Sequence, residues 1–262
     1  MRPDLKNDNA LIVGVGPGIG RAIAHALAEA GATVAIAGRD GVRLKATAAD
    51  LAEETGRRIE PIPADISSPQ GCRSLIEATV EALGVIDILV TVAAAGNGFR
   101  NFEDDDWDRW RQGFDVNVIG AMELGRLAAA SMRNRGGGSI VYISTLATRQ
   151  LAVGSGAYAS TKLAGTAAAK MMAKEYGRDG VRVNIVTPGY VAGERLDAMF
   201  ERQAAEGDRS AEEIAAGVAE RTSLGRLVED VEIARAVRFL ASSEASGITG
   251  VDLPVTAGMD PL

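Results

Sequence analysis

The sequence predicts a single α/β domain in which helices pack closely on a parallel sheet. Short, continuously apolar runs alternate with helical stretches along the chain, as strands buried on both faces require. The apolar content is 47% of 262 residues and only 4% is aromatic, so small side chains carry it and let helices approach a sheet. A glycine cluster follows the first apolar run directly, at a point where a strand turns into a helix. This length buries a large core within one domain, so residues 1–262 are expected to form one unit.

Residues 10–15 form the first apolar run and break into Gly14-Val-Gly16-Pro17-Gly18-Ile19-Gly20. A helix follows, with Ile19, Ile23, Ala26, Leu27 and Ala30 on one stripe and Gly31 at its end. Strand, glycine-rich turn and helix together bring backbone N–H groups up to a pyrophosphate. The second strand, residues 33–37, leads into Gly38-Arg39-Asp40. An acid at the end of this strand binds a free ribose 2′-hydroxyl, whereas an Arg accommodates a 2′-phosphate. Arg39 therefore favours NADP(H), and the alternative is that Asp40 takes the ribose of NAD(H).

A helix to about residue 54 and a strand over 58–63 come next, then Asp65-Ile66 at the position of an adenine edge. A helix through Leu75, Ile76, Val80 and Leu83 precedes the fourth strand, residues 86–90. That strand opens into Thr91-Val92-Ala93-Ala94-Ala95-Gly96, where small side chains leave room for a flat ligand or simply pack. The acidic residues 103–106 read as the first turn of a long helix rather than as a metal site. Asn117 lies inside that helix on an apolar face, so it must be either a structural bridge or part of a relay.

After Gly136-Gly-Gly138 comes the fifth strand, residues 139–143, ending in Ser144-Thr145. A helix to about residue 176 and the strand 181–186 follow, the latter stopping at Thr187-Pro188-Gly189. Residues 191–224 read as a helical lid interrupted by Gly207 and Gly217. A helix over 231–240 and a strand near 253–255 close the sheet.

Composition removes whole classes of mechanism. One histidine and one cysteine cannot build a Cys/His-rich zinc site, and His25 reads as an ordinary helix residue. The formal charge of −7, without a basic run, argues against nucleic acid. No apolar run spans a bilayer, the N-terminal residues lack a signal peptide's apolar core, and the lone Cys72 suits a reducing cytoplasm.

If the protein polarises a carbonyl, a phenol must do what zinc does elsewhere. Tyr158-Ala-Ser-Thr-Lys162 puts a phenol and an ammonium one helical turn apart on one face. A free phenol titrates near ~10 and is a poor proton donor at neutral pH. One cation at ~4 Å in an effective dielectric of ~20 supplies ~4 kcal/mol, about three pKa units. The pair is therefore an acid/base candidate for chemistry at a carbonyl or alcohol, although the same spacing also occurs on plain surface helices.

Taken together, Gly14, Gly18 and Gly20, Asp65, Asn117, Tyr158 with Lys162, Pro188-Gly189, Leu224-Gly-Arg226 and Ile248-Thr-Gly250 resemble the short-chain dehydrogenase/reductase family over essentially the whole chain. The resemblance implies a three-layer, doubly wound Rossmann fold with a seven-stranded parallel sheet. It implies NADP(H), with NAD(H) as the alternative, held by Gly14, Gly16, Pro17, Gly18, Ile19, Gly20, Arg39, Asp65, Ile66, Ala93, Ala94, Tyr158, Lys162, Pro188, Gly189 and Val191. It assigns Tyr158 as acid/base, Lys162 to the ribose and the phenol, and Asn117 to a water relay. It also implies a homotetramer or dimer packed through the two long helices, about residues 104–133 and 157–177.

Several positions depart from the family pattern. The substrate-orienting serine falls on Thr145, with Ser144 as second choice. Thr91-Val92-Ala93-Ala94 replaces the usual Asn-Asn-Ala-Gly turn, Val13 replaces a threonine, and Gly193 stands where a threonine often meets the nicotinamide amide. The expected activity is hydride transfer between a ketone or aldehyde and an alcohol. The alternatives are a non-catalytic NADP(H) sensor or scaffold of the same fold, and an epimerase or dehydratase. Leu146, Leu151, Tyr190, Leu196, Met199 and Phe200 line a pocket or pack a core. Arg149 and Arg195 are solvated charges or meet an anionic carrier.

Overall fold

A computed structural model describes residues 4–95 and 99–259; Gly96, at the end of the small-residue turn, lies outside them. Seven parallel strands form one sheet in the order β3-β2-β1-β4-β5-β6-β7: β1 (Asn9–Val13), β2 (Thr33–Gly38), β3 (Ile59–Pro63), β4 (Ile88–Thr91), β5 (Gly138–Ile143), β6 (Val181–Pro188) and β7 (Asp252–Val255). This is the doubly wound Rossmann architecture.

The alternation of side chains along each strand divides the core in two. Ala10 and Ile12 of β1 join Val34 and Ile36 of β2 under α1 (Ile19–Glu29), α2 (Gly41–Thr55) and α9 (Asp230–Ala241). Leu11 and Val13 face the other way, with Leu89 and Tyr142, under α3 (Pro69–Leu83), α5 (Ala121–Arg133) and α6 (Gly156–Tyr176). Both faces being covered explains why the strands read as unbroken apolar runs.

The long helix expected after the acidic stretch is three pieces. Asp106 caps α4 (Trp107–Phe114), accepting from the Asp108 N–H at 2.9 Å. A π-helical turn, Asp115–Gly120, follows, and then α5. Gly120 fits there because an added Cβ would stand 2.1 Å from the Ile66 carbonyl oxygen.

The expected lid is α7 (Glu194–Ala205) and α8 (Ala211–Glu220). Gly207 separates the two, but Gly217 lies inside α8 and does not interrupt it. Leu196 and Phe200 pack with Ile214 in a small core between these two helices, with Tyr190 and Met199 against it. Leu196 and Phe200 therefore serve packing, Tyr190 and Met199 are only partly buried, and Leu151 is exposed. Among the described residues no helix is long and apolar enough to cross a membrane.

Candidate active site

The C-terminal ends of the strands gather nearly every residue singled out from the sequence. Gly14 follows β1 with φ +95°, and a Cβ on it would lie 2.2 Å from the backbone nitrogen of Ala93, just after β4. Two strand ends can meet this closely only without a side chain. Gly20 is equally constrained, its added Cβ 2.9 Å from the Gly14 carbonyl oxygen. Gly16 and Gly18 differ, since an added Cβ would meet nothing within 4 Å. They keep open the space over α1, and Gly18 at its N-cap supplies no side-chain acceptor to the first turn. By contrast, Asp40, Ser68 and Asp106 cap α2, α3 and α4. An uncapped helix end behind a glycine turn, with Pro17 and Ile19 beside it, fits the phosphates of a dinucleotide.

Arg39 is exposed immediately after β2, whereas the Asp40 side chain accepts from Val42 N–H at 3.1 Å and Arg43 N–H at 3.0 Å. Asp65 is exposed after β3 and turns one carboxylate oxygen to the Ser67 N–H at 3.0 Å. Ile66 is buried in the core, so any contact it makes with a cofactor runs through its backbone. Ala93 and Ala94 follow β4, while Gly189 and Val191 follow β6, whose last residue is Pro188. Gly189 allows the chain to pass Thr256, from whose Cα an added Cβ would be 2.8 Å. His25 lies within α1, 3.9 Å from the Glu54 carboxylate and remote in sequence from the acid/base pair.

Tyr158 and Lys162 lie one turn apart in α6. The phenol is partly exposed, and the Thr145 hydroxyl stands near enough to act on it. Ser144 is turned into the core, where its hydroxyl meets that of Thr166 at 2.8 Å. Adjacent residues at a strand end point to opposite faces, so Thr145 and not Ser144 stands beside the phenol. Burial raises the phenol above its ordinary value, while the Arg195 charge and the Thr145 hydroxyl pull it down. The expectation that Lys162 draws the phenol down is thus not met, since burial outweighs the groups that lower it and Lys162 is not one of them. Lys162 is fully buried, and burial assisted by the Arg195 charge depresses it to about 7. Its Nζ donates to the Ile143 carbonyl at 2.8 Å.

Asn117 is fully buried in the π-helical turn. Its Oδ1 accepts from the Ala95 N–H at 2.8 Å, and its Nδ2 donates to the Ala95 carbonyl and the Thr161 hydroxyl, both at 2.9 Å. The side chain is the structural bridge, tying the turn after β4 to α6. Its carbonyl accepts the Tyr142 hydroxyl at 2.9 Å. Sequence reasoning missed Tyr142 because β5 reads as an apolar run. The signal available was Gly165, three residues after Lys162, whose added Cβ would lie 2.2 Å from the Tyr142 hydroxyl.

A family model described as "Enoyl-(Acyl carrier protein) reductase" matches residues 14–260. The short chain dehydrogenase/reductase astE of Aspergillus oryzae is 32% identical over 97% of this chain and 95% of its own. The chain belongs to the short-chain dehydrogenase/reductase family of oxidoreductases. A 7α-hydroxysteroid dehydrogenase of Escherichia coli is 31% identical over 95% of this chain and 92% of its own. A structure of such an enzyme with NADH matches at a TM-score of 0.89, with 30% identity over 99% and 97% of the two chains. The L-sorbose reductase of Gluconobacter frateurii, complexed with NADPH and L-sorbose, matches at a TM-score of 0.94, with 27% identity and full coverage of both chains.

Proposed function

We propose that this member of the family interconverts a ketone or aldehyde with an alcohol, using NADP(H) in preference to NAD(H), with Tyr158 as the acid/base. The observation that carries the reading is that Tyr158 lies one helical turn before the buried Lys162, while Ser144 is turned into the core and leaves the Thr145 hydroxyl on the phenol's side. It sets two hydroxyl donors side by side, as recognition of one carbonyl oxygen requires. The nicotinamide cofactor, when bound, supplies the hydride in reduction and accepts it in oxidation.

In reduction, Thr145 and Tyr158 both donate to the substrate oxygen, and Tyr158 gives its proton to that oxygen as negative charge develops there. In oxidation the phenol oxygen takes the alcohol proton. Lys162 stabilises the phenolate left by reduction and holds the ribose hydroxyls. Asn117 fixes the turn after β4, and the second lone pair of its carbonyl remains an acceptor for a proton relay. Glycines 14–20, Arg39, Asp65, Ala93, Ala94, Pro188, Gly189 and Val191 hold the cofactor in this reading.

The preference for NADP(H) rests on Arg39 standing exposed after β2 while Asp40 is occupied by the cap of α2. The substrate is a small-molecule ketone or aldehyde, or the matching alcohol, the feature shared by the sugar and the bile acid named with the relatives' structures. A cytoplasmic setting fits the single buried cysteine.

The test is oxidation of NADPH and NADH with a panel of ketones and aldehydes, beside cofactor titration by fluorescence. NADPH is expected to bind more tightly and to be consumed with at least one member, and Arg39→Ser to narrow the cofactor preference. Tight binding without turnover, in either direction and across the panel, would replace the reading with that of a cofactor-binding sensor or scaffold.

A further inference from the structure

Tyr142 is the largest of the fully buried side chains, yet it sits on the acid/base side of the sheet rather than among purely apolar neighbours. Its hydroxyl donates to the Asn117 carbonyl at 2.9 Å, inside the π-helical turn. Its ring lies under the Lys162 ammonium, 4.9 Å from Nζ to the ring centroid. The hydroxyl reaches that carbonyl only because α6 carries Gly165 at the crossing, where a Cβ would stand 2.2 Å from the phenol oxygen and 2.9 Å from the carbonyl oxygen. One phenol thus joins β5, the π-helical turn and α6 around the base of Lys162.

We propose that Tyr142 is a positioning residue for Lys162: its ring face holds the buried ammonium in its charged form, and its hydroxyl on the Asn117 carbonyl fixes the ring in place. The inference rests on the reading of Tyr158 and Lys162 as the acid/base pair, but it concerns a property of Lys162 that is measured without turnover. An aromatic face attracts a cation most strongly where water is excluded, and Lys162 is buried. Among the described residues no carboxylate pairs with Lys162, whose one hydrogen bond runs to the Ile143 carbonyl. The titratable and charged groups facing it are Tyr158 on α6, Tyr142 on β5 and Arg195 on α7. Arg195 opposes the charge on Lys162, so the ring is the side-chain group that favours it.

Tyr142 itself does not move protons. Burial raises its phenol further than that of an ordinary tyrosine, and it stays a neutral donor. What it supplies is a fixed quadrupole at the point where the ammonium must stay charged to stabilise a Tyr158 phenolate.

The experiment is a pH titration of the full-length, cofactor-free protein labelled with carbon-13 at the lysine Cε. The chain has only five lysines, and Lys162→Met assigns the signal of interest. Tyr142→Phe keeps the ring and is expected to leave the Lys162 midpoint within about 0.3 units of the wild type. Tyr142→Leu removes the ring and is expected to lower the midpoint by at least about one unit, tenfold in proton affinity. A Lys162 midpoint in Tyr142→Leu equal to that of the wild type would overturn the proposal, as would a Tyr142→Phe midpoint lowered as far as that of Tyr142→Leu. Should Tyr142→Leu not fold, the Lys162 Hε protons decide the matter in the wild type. A ring above them shifts their resonance upfield, and a position like that of the other four lysines would refute the arrangement. If the midpoints behave as expected while no substrate turns over, the functional reading fails and this one stands.

Discussion

Burial moves Tyr158 and Lys162 in opposite senses, raising the phenol and depressing the ammonium to about 7, because each charged form loses water. The sequence places the two groups one helical turn apart but says nothing of how dry the site is. The effect of burial is why the simple estimate of a phenol lowered by three units does not hold. It also has a consequence for stability. Between about pH 7 and the ordinary lysine value of 10.5 the unfolded chain binds more protons at Lys162 than the folded one. The cost of the buried ammonium is therefore full below about pH 7 and fades as pH rises. Cys72 starts from 9.0 and is pushed up to about 11, so its opposing contribution sets in around pH 9. Denaturant midpoints of the cofactor-free protein are expected to show a term that rises between pH 7 and 9, by at most about 1.4 kcal/mol per pH unit. The difference from Lys162→Met isolates it, and a difference independent of pH would contradict the depressed value.

At the scale of elements, the site depends on strand ends brought closer than side chains allow. Gly14→Ala would put a Cβ 2.2 Å from the Ala93 backbone nitrogen at a backbone φ of +95°. Positive φ alone costs an alanine about 1–2 kcal/mol, and the overlap adds to it. Unfolding curves should show a loss above about 2 kcal/mol together with lost cofactor binding; an unchanged midpoint would mean that β1 and β4 separate freely.

The glycines of this turn were legible because only one residue type permits the approach. The strands were legible because both sheet faces are covered, with boundaries displaced by one or two residues. The π-helical turn at Asp115–Gly120 was not, since its hydrogen-bond shift leaves the apolar pattern of a helix intact. Tyr142 was hidden for a related reason: in a strand buried on both faces, a tyrosine with a satisfied hydroxyl has the pattern of any large apolar residue. Leu196 and Phe200 read equally well as pocket or core, and the decision belonged to Ile214 on the next helix.

Considered as a whole, the chain is a sheet covered on both faces, with its candidate chemistry at the C-terminal ends of the strands and several large apolar side chains exposed on its helices. Trp107, Phe114, Ile119, Leu163 and Met171 are exposed on α4, the π-helical turn and α6. Exposed apolar side chains on neighbouring helices are candidates for an interface. The two-helix packing implied by the family would cover it, so light scattering after size exclusion is expected to give a dimer or tetramer. Leu163→Glu combined with Met171→Glu should shift it toward the monomer, and a monomeric wild type would contradict the packing.

The central claim is that the Tyr158 phenol exchanges the proton with the substrate oxygen. The most direct measurement compares Tyr158→Phe with the wild type in turnover of a substrate found by the panel, with NADPH binding followed in the same samples. Unchanged cofactor affinity with turnover lowered by about 10²–10⁴ is the result predicted for one positioned acid/base. Turnover close to that of the wild type would contradict it.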